Sequence, residues 1–230
     1  MSQNKTNFAV PLAFVGMMFF AIGFALGINS FLIPVLKGAL SLPSGVAYLL
    51  LAATFVPFLI FGYPASATIA KIGYKRTMAL SFLIFAVAFI LFVLSAKLEN
   101  FILFLIASFV SGAANAYLQA SVNPYITILG PIESAAKRMS IMGICNKLAW
   151  PVAPLFFALV VADQTNVQTS DLYLPFYIII GVFLLLGIIS LMAPLPEVKA
   201  AGEDESDTAN CPYAANKTSI WQFPHLVLGA

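Results

Sequence analysis

Five polar residues stand at a step of four in an otherwise apolar stretch: Ser111, Asn115, Gln119, Asn123 and Thr127. On an α-helix each step of four turns by about 40°, so they form one slowly winding polar stripe. An amide offers both a donor and an acceptor, and a hydroxyl does the same. That chemistry recognises hydroxyl-rich solutes. It transfers no group and holds no metal. Pro124 follows Asn123 directly. A proline withholds its N–H from the carbonyl four residues back and pushes the residue before it out of α geometry. The spacing therefore predicts a bent helix lining a polar path, with Ala120 left a free carbonyl. Helix–helix adhesion through amides is the plainer role for any one of these residues.

Two further groups carry polar chemistry. In "GFALGINSFLIP" (Gly23 to Pro34), Asn29 and Ser30 interrupt an apolar run between Gly27 and Pro34. That combination predicts a bent or partly unwound segment of the kind transport sites use, or a packing notch for a neighbouring helix. In "CNKLAWPVAP" (Cys145 to Pro154), Asn146 and Lys147 precede Trp150, Pro151 and Pro154. A lysine at the centre of a membrane helix costs roughly 2.5–3.5 kcal/mol, so Lys147 is expected to reach water or the interface. Trp150 offers a stacking surface for a sugar ring, or an apolar packing surface.

The elements that position these residues follow from composition. The chain of 230 residues is 61% hydrophobic and 9% charged, with a mean hydropathy of +0.98. A soluble domain needs far more charge to cover its surface. The fold class is an all-α membrane bundle, because backbone groups in hydrocarbon must be satisfied within the segment. A span needs about 20 apolar residues. Six segments qualify, near 8–36, 46–69, 77–96, 101–129, 140–162 and 172–195. Residues 1–196 thus read as a six-helix bundle and residues 197–218 as a polar linker. Residues 219–230 read as the start of a seventh span. The tripeptide "NKT" opens both the first span and this seventh segment, a faint sign of duplication.

Charge sets the orientation. Lys5, Lys71, Lys75, Arg76, Lys137, Arg138, Lys199 and Lys217 fall on one side, and Lys37 and Lys97 on the other. The positive-inside rule places the N-terminus in the cytoplasm. The turn with Lys71, Gly73, Lys75 and Arg76 and the turn with Glu133 and Arg138 are then cytoplasmic. Both are candidate gating loops, with Glu133 and Arg138 spaced to pair.

Several functions are excluded by what is missing. All nine acids fall outside the spans: Glu99, Glu133, Asp163, Asp171, Glu197, Glu203, Asp204, Glu205 and Asp207. The one histidine is His225. No carboxylate or imidazole in the six spans can carry a proton or activate a serine. Cys145 and Cys211 make neither a disulfide framework nor a metal site. No basic cluster suits nucleic acid, and no motif calls for a cofactor.

The segments "GINSFLIP", "AKIGYKR", "LQASVNPYITILGP" and "ES" followed by "KR" resemble the major facilitator superfamily, in its fucose and glucose/galactose permease branch. That resemblance covers the first five spans. It implies the N-terminal half of a twelve-helix carrier in a bacterial inner membrane, working by alternating access and paired with a second six-helix half. It implies a monosaccharide of the glucose, galactose or fucose type and a symporter's coupling cation, with Asn29, Ser30, Gln119, Asn123 and Asn146 falling where the branch contacts sugar or couples protons; Asn115, Lys147 and Trp150 join them as candidate binding residues from the stripe and from the lysine–tryptophan pair alone. The proton-coupled fucose carriers of the branch place an Asp where Ser30 stands and a Glu where Gln119 stands. Both titratable groups are lost here. Another small neutral solute, or a sugar sensor that does not transport, fits the same residues.

Overall fold

The structure is a computed structural model that describes residues 9–161 and 168–193. The expected linker and seventh segment lie outside the described residues. Six α-helices appear in chain order: α1 (Ala9–Ala39), α2 (Ser44–Ala47), α3 (Leu49–Lys97), α4 (Phe101–Ile128), α5 (Ala135–Val160) and α6 (Tyr173–Met192). Among the described residues, five helical segments are long and apolar enough to cross a membrane, and the second of them, Ser44–Lys97, is 54 residues long.

That segment holds two crossings. The 49 residues of α3 would extend about 74 Å as one straight rod, against about 30 Å of hydrocarbon. Gly73, at φ 82° and ψ 168°, breaks it into two limbs. Contacts with α4 fix their directions. On the first limb Thr54 meets Gly112 and Phe61 meets Tyr117, so this limb runs with α4. On the second, Tyr74 meets Tyr125 and Phe92 meets Phe104, so this limb runs against it. The chain reverses at Gly73, and the bundle has the six crossings its composition predicts.

Only glycine populates the Gly73 conformation without strain. A Cβ there would meet nothing within 4 Å, so the constraint lies in the backbone alone. Gly73→Ala is expected to destabilise the bundle by about 1–3 kcal/mol, read as a melting temperature lower by several degrees in detergent. An unchanged melting temperature would mean the reversal does not depend on this residue.

Phenylalanines hold the second limb of α3 to α6. Phe82, Phe85, Phe89 and Phe92 recur at helical spacing on the second limb, all with no exposure. Phe183 of α6 stacks on Phe85 at 4.8 Å, and Phe176 stacks on Phe92 at 5.5 Å. In lipid the hydrophobic effect does not drive helices together, so dispersion and close fit supply this adhesion. The ends are capped locally. Asn100 opens α4 by accepting from the N–H groups of Ile102, at 2.9 Å, and Leu103, at 3.4 Å, which satisfies two donors left free at a helix start.

Candidate functional site

The polar stripe of α4 leaves the core as it descends. Ser111 and Asn115 have no exposure, Gln119 and Asn123 are half-buried, and Thr127 is exposed. The winding of the stripe produces this: each step of four carries the next polar side chain further from the helices packed on α4. The amides able to meet a solute are therefore Gln119 and Asn123. Pro124 does not unwind the helix, as α4 continues to Ile128. Just beyond the proline, the Thr127 hydroxyl donates to the Pro124 carbonyl at 2.6 Å.

Nor does α1 unwind. It runs continuously from Ala9 to Ala39 through Pro34, without the partial unwinding that the sequence allows. The Asn29 amide donates to the Ala25 carbonyl at 3.1 Å, and the Ser30 hydroxyl to the Leu26 carbonyl at 3.1 Å. These local bonds brace the turn before the proline. Asn29 is 1% exposed and also donates to Ser111 Oγ at 3.4 Å. Ser108 Oγ donates to Asn29 Oδ1 at 3.2 Å. Asn29 is thus a satisfied joint between α1 and α4, turned away from any open face.

Ser30, one residue on, is half-buried and belongs to a different group. The Trp150 indole N–H donates to Ser30 Oγ at 3.3 Å. The Lys147 ammonium lies 4.9 Å from the centre of the Trp150 ring, a cation–π contact. Asn146 donates to the Phe19 carbonyl at 3.1 Å. Ser30, Asn146, Lys147 and Trp150 thus gather along the contact of α1 with α5. One face of Trp150 is taken by lysine and is not a bare stacking platform.

Glycine brings those helices together. A Cβ on Gly23 would lie 1.9 Å from the Asn146 carbonyl oxygen, and one on Gly27 would lie 2.6 Å from the Trp150 carbonyl oxygen. Gly23 and Gly27 form the small-x-x-x-small pattern that lets membrane helices approach backbone to backbone. Gly27 is singled out in the sequence as a possible notch; its partner Gly23 is not, although the four-residue spacing is the signal. Gly112 does the same for α4 against the first limb of α3, where a Cβ would lie 2.1 Å from the Thr54 carbonyl oxygen. No hydrogen bond joins Gln119 or Asn123 to the α1–α5 group among the described residues.

The two candidate gating turns differ. Lys71 and Arg76 are exposed and Lys75 is half-buried beside Gly73. At the other turn Arg138 does not pair with Glu133. It is 8% exposed and donates to the carbonyls of Ile126 (3.2 Å), Thr127 (3.1 Å) and Pro131 (2.9 Å), and to the Ser134 hydroxyl. Carbonyls ending a helix lack intrahelical donors, and one guanidinium with its fork of donors serves several of them. Gly130, at φ 107°, makes the turn that brings them to Arg138. Removing this staple takes the donor from the buried Ile126 carbonyl and from the partly buried contacts at Thr127 and Pro131, so Arg138→Ala is expected to cost about 1–3 kcal/mol. Arg138→Lys should recover little of it, because an ammonium lacks the fork. Thermal melting of both variants checks this; full rescue by lysine would mean that charge alone matters.

The helix pairing has a family counterpart. Residues 14–228 match the model of the Major Facilitator Superfamily. The chain belongs to the major facilitator superfamily. Within the superfamily it is 32% identical over 234 residues to a "Glucose/galactose transporter" of Brucella abortus, covering all of this chain and 55% of that protein. It is 22% identical to the "L-fucose-proton symporter" of Escherichia coli, covering 96% of this chain and 55% of that one. The chain thus spans about half the length of the curated relatives it matches. The crystal structure of the superfamily transporter FucP in the outward conformation matches with a TM-score of 0.70 at 22% identity, covering 88% of this chain and 55% of that chain. At that identity the likeness shows the fold: the six-crossing bundle is the N-terminal half of the superfamily's architecture. The chain is a multi-pass membrane protein of a transporter family.

Proposed function

We propose that this chain forms the N-terminal half of a monosaccharide carrier of the glucose, galactose or fucose type, working by alternating access. The observation that supports it best is the emergence of Gln119 and Asn123 as half-buried amides on α4, while Ser30, Asn146, Lys147 and Trp150 gather where α1 meets α5. An amide meets a sugar hydroxyl with both a donor and an acceptor. The edges and free face of Trp150 suit the apolar side of a sugar ring. In this reading Asn29 holds the wall together and does not touch the sugar.

The reading extends to the rest of the carrier. A second six-helix half, reached through residues 197–218 and beginning near 219, closes the other wall. The membrane is a bacterial inner membrane and the N-terminus faces the cytoplasm, as the charge asymmetry favours. The turn at Gly73 and the elbow at Arg138 lie at the cytoplasmic end, where the first closes the path and the second keeps α4 and α5 moving together. The molecule acts as a carrier and not as an enzyme. A coupling cation, if used, is not carried by a carboxylate of these spans. The test is sugar uptake by the full-length carrier in vesicles and its loss in Gln119→Ala.

A further inference from the structure

Asn115 is the anomaly of the polar stripe. It has no exposure, yet neither its Oδ1 nor its Nδ2 has a hydrogen-bond partner. The polar groups one turn above it are satisfied: Asn29, Ser108 and Ser111 bond to one another or to backbone. A buried amide left unpaired is expensive in any medium of low polarity, and more so inside a membrane. Such a group calls for a specific explanation.

The facing helix supplies one. Gly112, one turn before Asn115, presses on the first limb of α3, where a Cβ would meet the Thr54 carbonyl oxygen at 2.1 Å and Pro57 Cγ at 3.0 Å. Pro57 is buried and lies inside α3. Having no N–H, it offers nothing to the Ala53 carbonyl, which points along the helix toward the proline. Since the Pro57 ring faces Gly112, that carbonyl lies on the same face of α3. Side chains on a helix tilt toward its N-terminus, so the Asn115 amide leans back toward this contact. An amide without an acceptor and a carbonyl without a helical donor thus sit on facing helices at one crossing. Proline softens α3 at this crossing, at Pro57.

We propose that Asn115 is a state-dependent positioning residue: its amide takes the Ala53 carbonyl across the α3–α4 contact in a second conformation of the transport cycle and steadies that conformation. A ligand shifts a two-state carrier only through differential free energy between the states, and an internal bond made in one state alone sets their balance in the same way. Asn115 then touches no sugar. This rests on the carrier reading above.

The experiment compares wild type, Asn115→Leu and Pro57→Ala in the full-length carrier. Leucine keeps the branched shape of the side chain without an unpaired amide. Alanine at 57 restores the N–H that ties up Ala53 within α3. Both are expected to raise the melting temperature, by about 2–4 °C. Both should leave binding of radiolabelled glucose, galactose or fucose within about twofold in detergent, yet lower turnover in vesicles by about tenfold. A simple packing role predicts the opposite pairing, lower stability with turnover following it. Asn115→Leu that transports at the wild-type rate, or melts below wild type, overturns the proposal. If wild type moves none of the three sugars, the carrier reading falls. The melting comparison still decides whether Asn115 is unpartnered in the described conformation: a rise supports that, and no rise overturns it.

Discussion

Replacing Gly23 with alanine is expected to prevent the bundle from assembling correctly. The added Cβ would stand 1.9 Å from the Asn146 carbonyl oxygen. Contact between heavy atoms is favourable only near 3.5–4.0 Å, so α1 and α5 would have to part by roughly 1.5–2 Å. The obstacle is backbone on both sides, and no rotamer relieves it. Ordinary overpacking costs about 1–3 kcal/mol; a clash of backbone with Cβ along a close helix contact belongs with the exceptional changes above about 4 kcal/mol. Parting the helices also breaks the bond from Trp150 to Ser30 and the one from Asn146 to the Phe19 carbonyl. Little monodisperse protein should be recovered by size exclusion, and indole fluorescence should shift. Gly62→Ala is the control. A Cβ there meets nothing within 4 Å, and alanine is the better helix former by about 1 kcal/mol. Equal behaviour of the two variants would show that α1 and α5 do not pack as described.

The sequence makes the crossings legible and the pairings only partly so. Length and apolarity find each span because a single apolar stretch in hydrocarbon must satisfy its own backbone, which a helix does. The fifth helix begins at Ala135, ahead of the expected 140, because its first turn is polar and extends past the apolar stretch. Gly73 reads as a turn from its charged neighbours, and its backbone conformation confirms why glycine stands there. The partial unwinding that Pro34 would allow does not occur, and α4 continues as helix through Pro124. A proline removes one helical bond, but side-chain bonds from Asn29, Ser30 and Thr127 to nearby carbonyls hold the turns. Asn29 lies buried between α1 and α4, not on an open face, for a related reason. Spacing cannot tell an amide facing a cavity from one facing a serine on the next helix, and Ser108 and Ser111 belong to a different stretch of chain. Likewise the Glu133–Arg138 spacing suits an ion pair, yet four acceptors gathered by the turn at Gly130 hold the guanidinium instead.

The second large effect concerns Gln119. Of the α4 amides it is, with Asn123, one of the two that are half-buried and not sealed in the bundle. It sits among helices that carry no carboxylate within their spans. If its amide bonds a sugar hydroxyl, Gln119→Ala removes a donor and an acceptor together and leaves the sugar groups unpaired. Neutral hydrogen bonds contribute about 0.5–1.5 kcal/mol each, and an unpaired buried group costs about 1–3 kcal/mol, so the loss should be at least about tenfold. Folding should be untouched, because no hydrogen bond joins Gln119 to another helix among the described residues. The most direct test is uptake of radiolabelled glucose, galactose and fucose by the full-length carrier in vesicles, for wild type and Gln119→Ala. Uptake of at least one sugar, reduced about tenfold or more by a substitution that leaves the melting temperature unchanged, is the predicted result. Wild-type vesicles that take up none of the three, or a Gln119→Ala carrier that transports as well as wild type, would contradict the account.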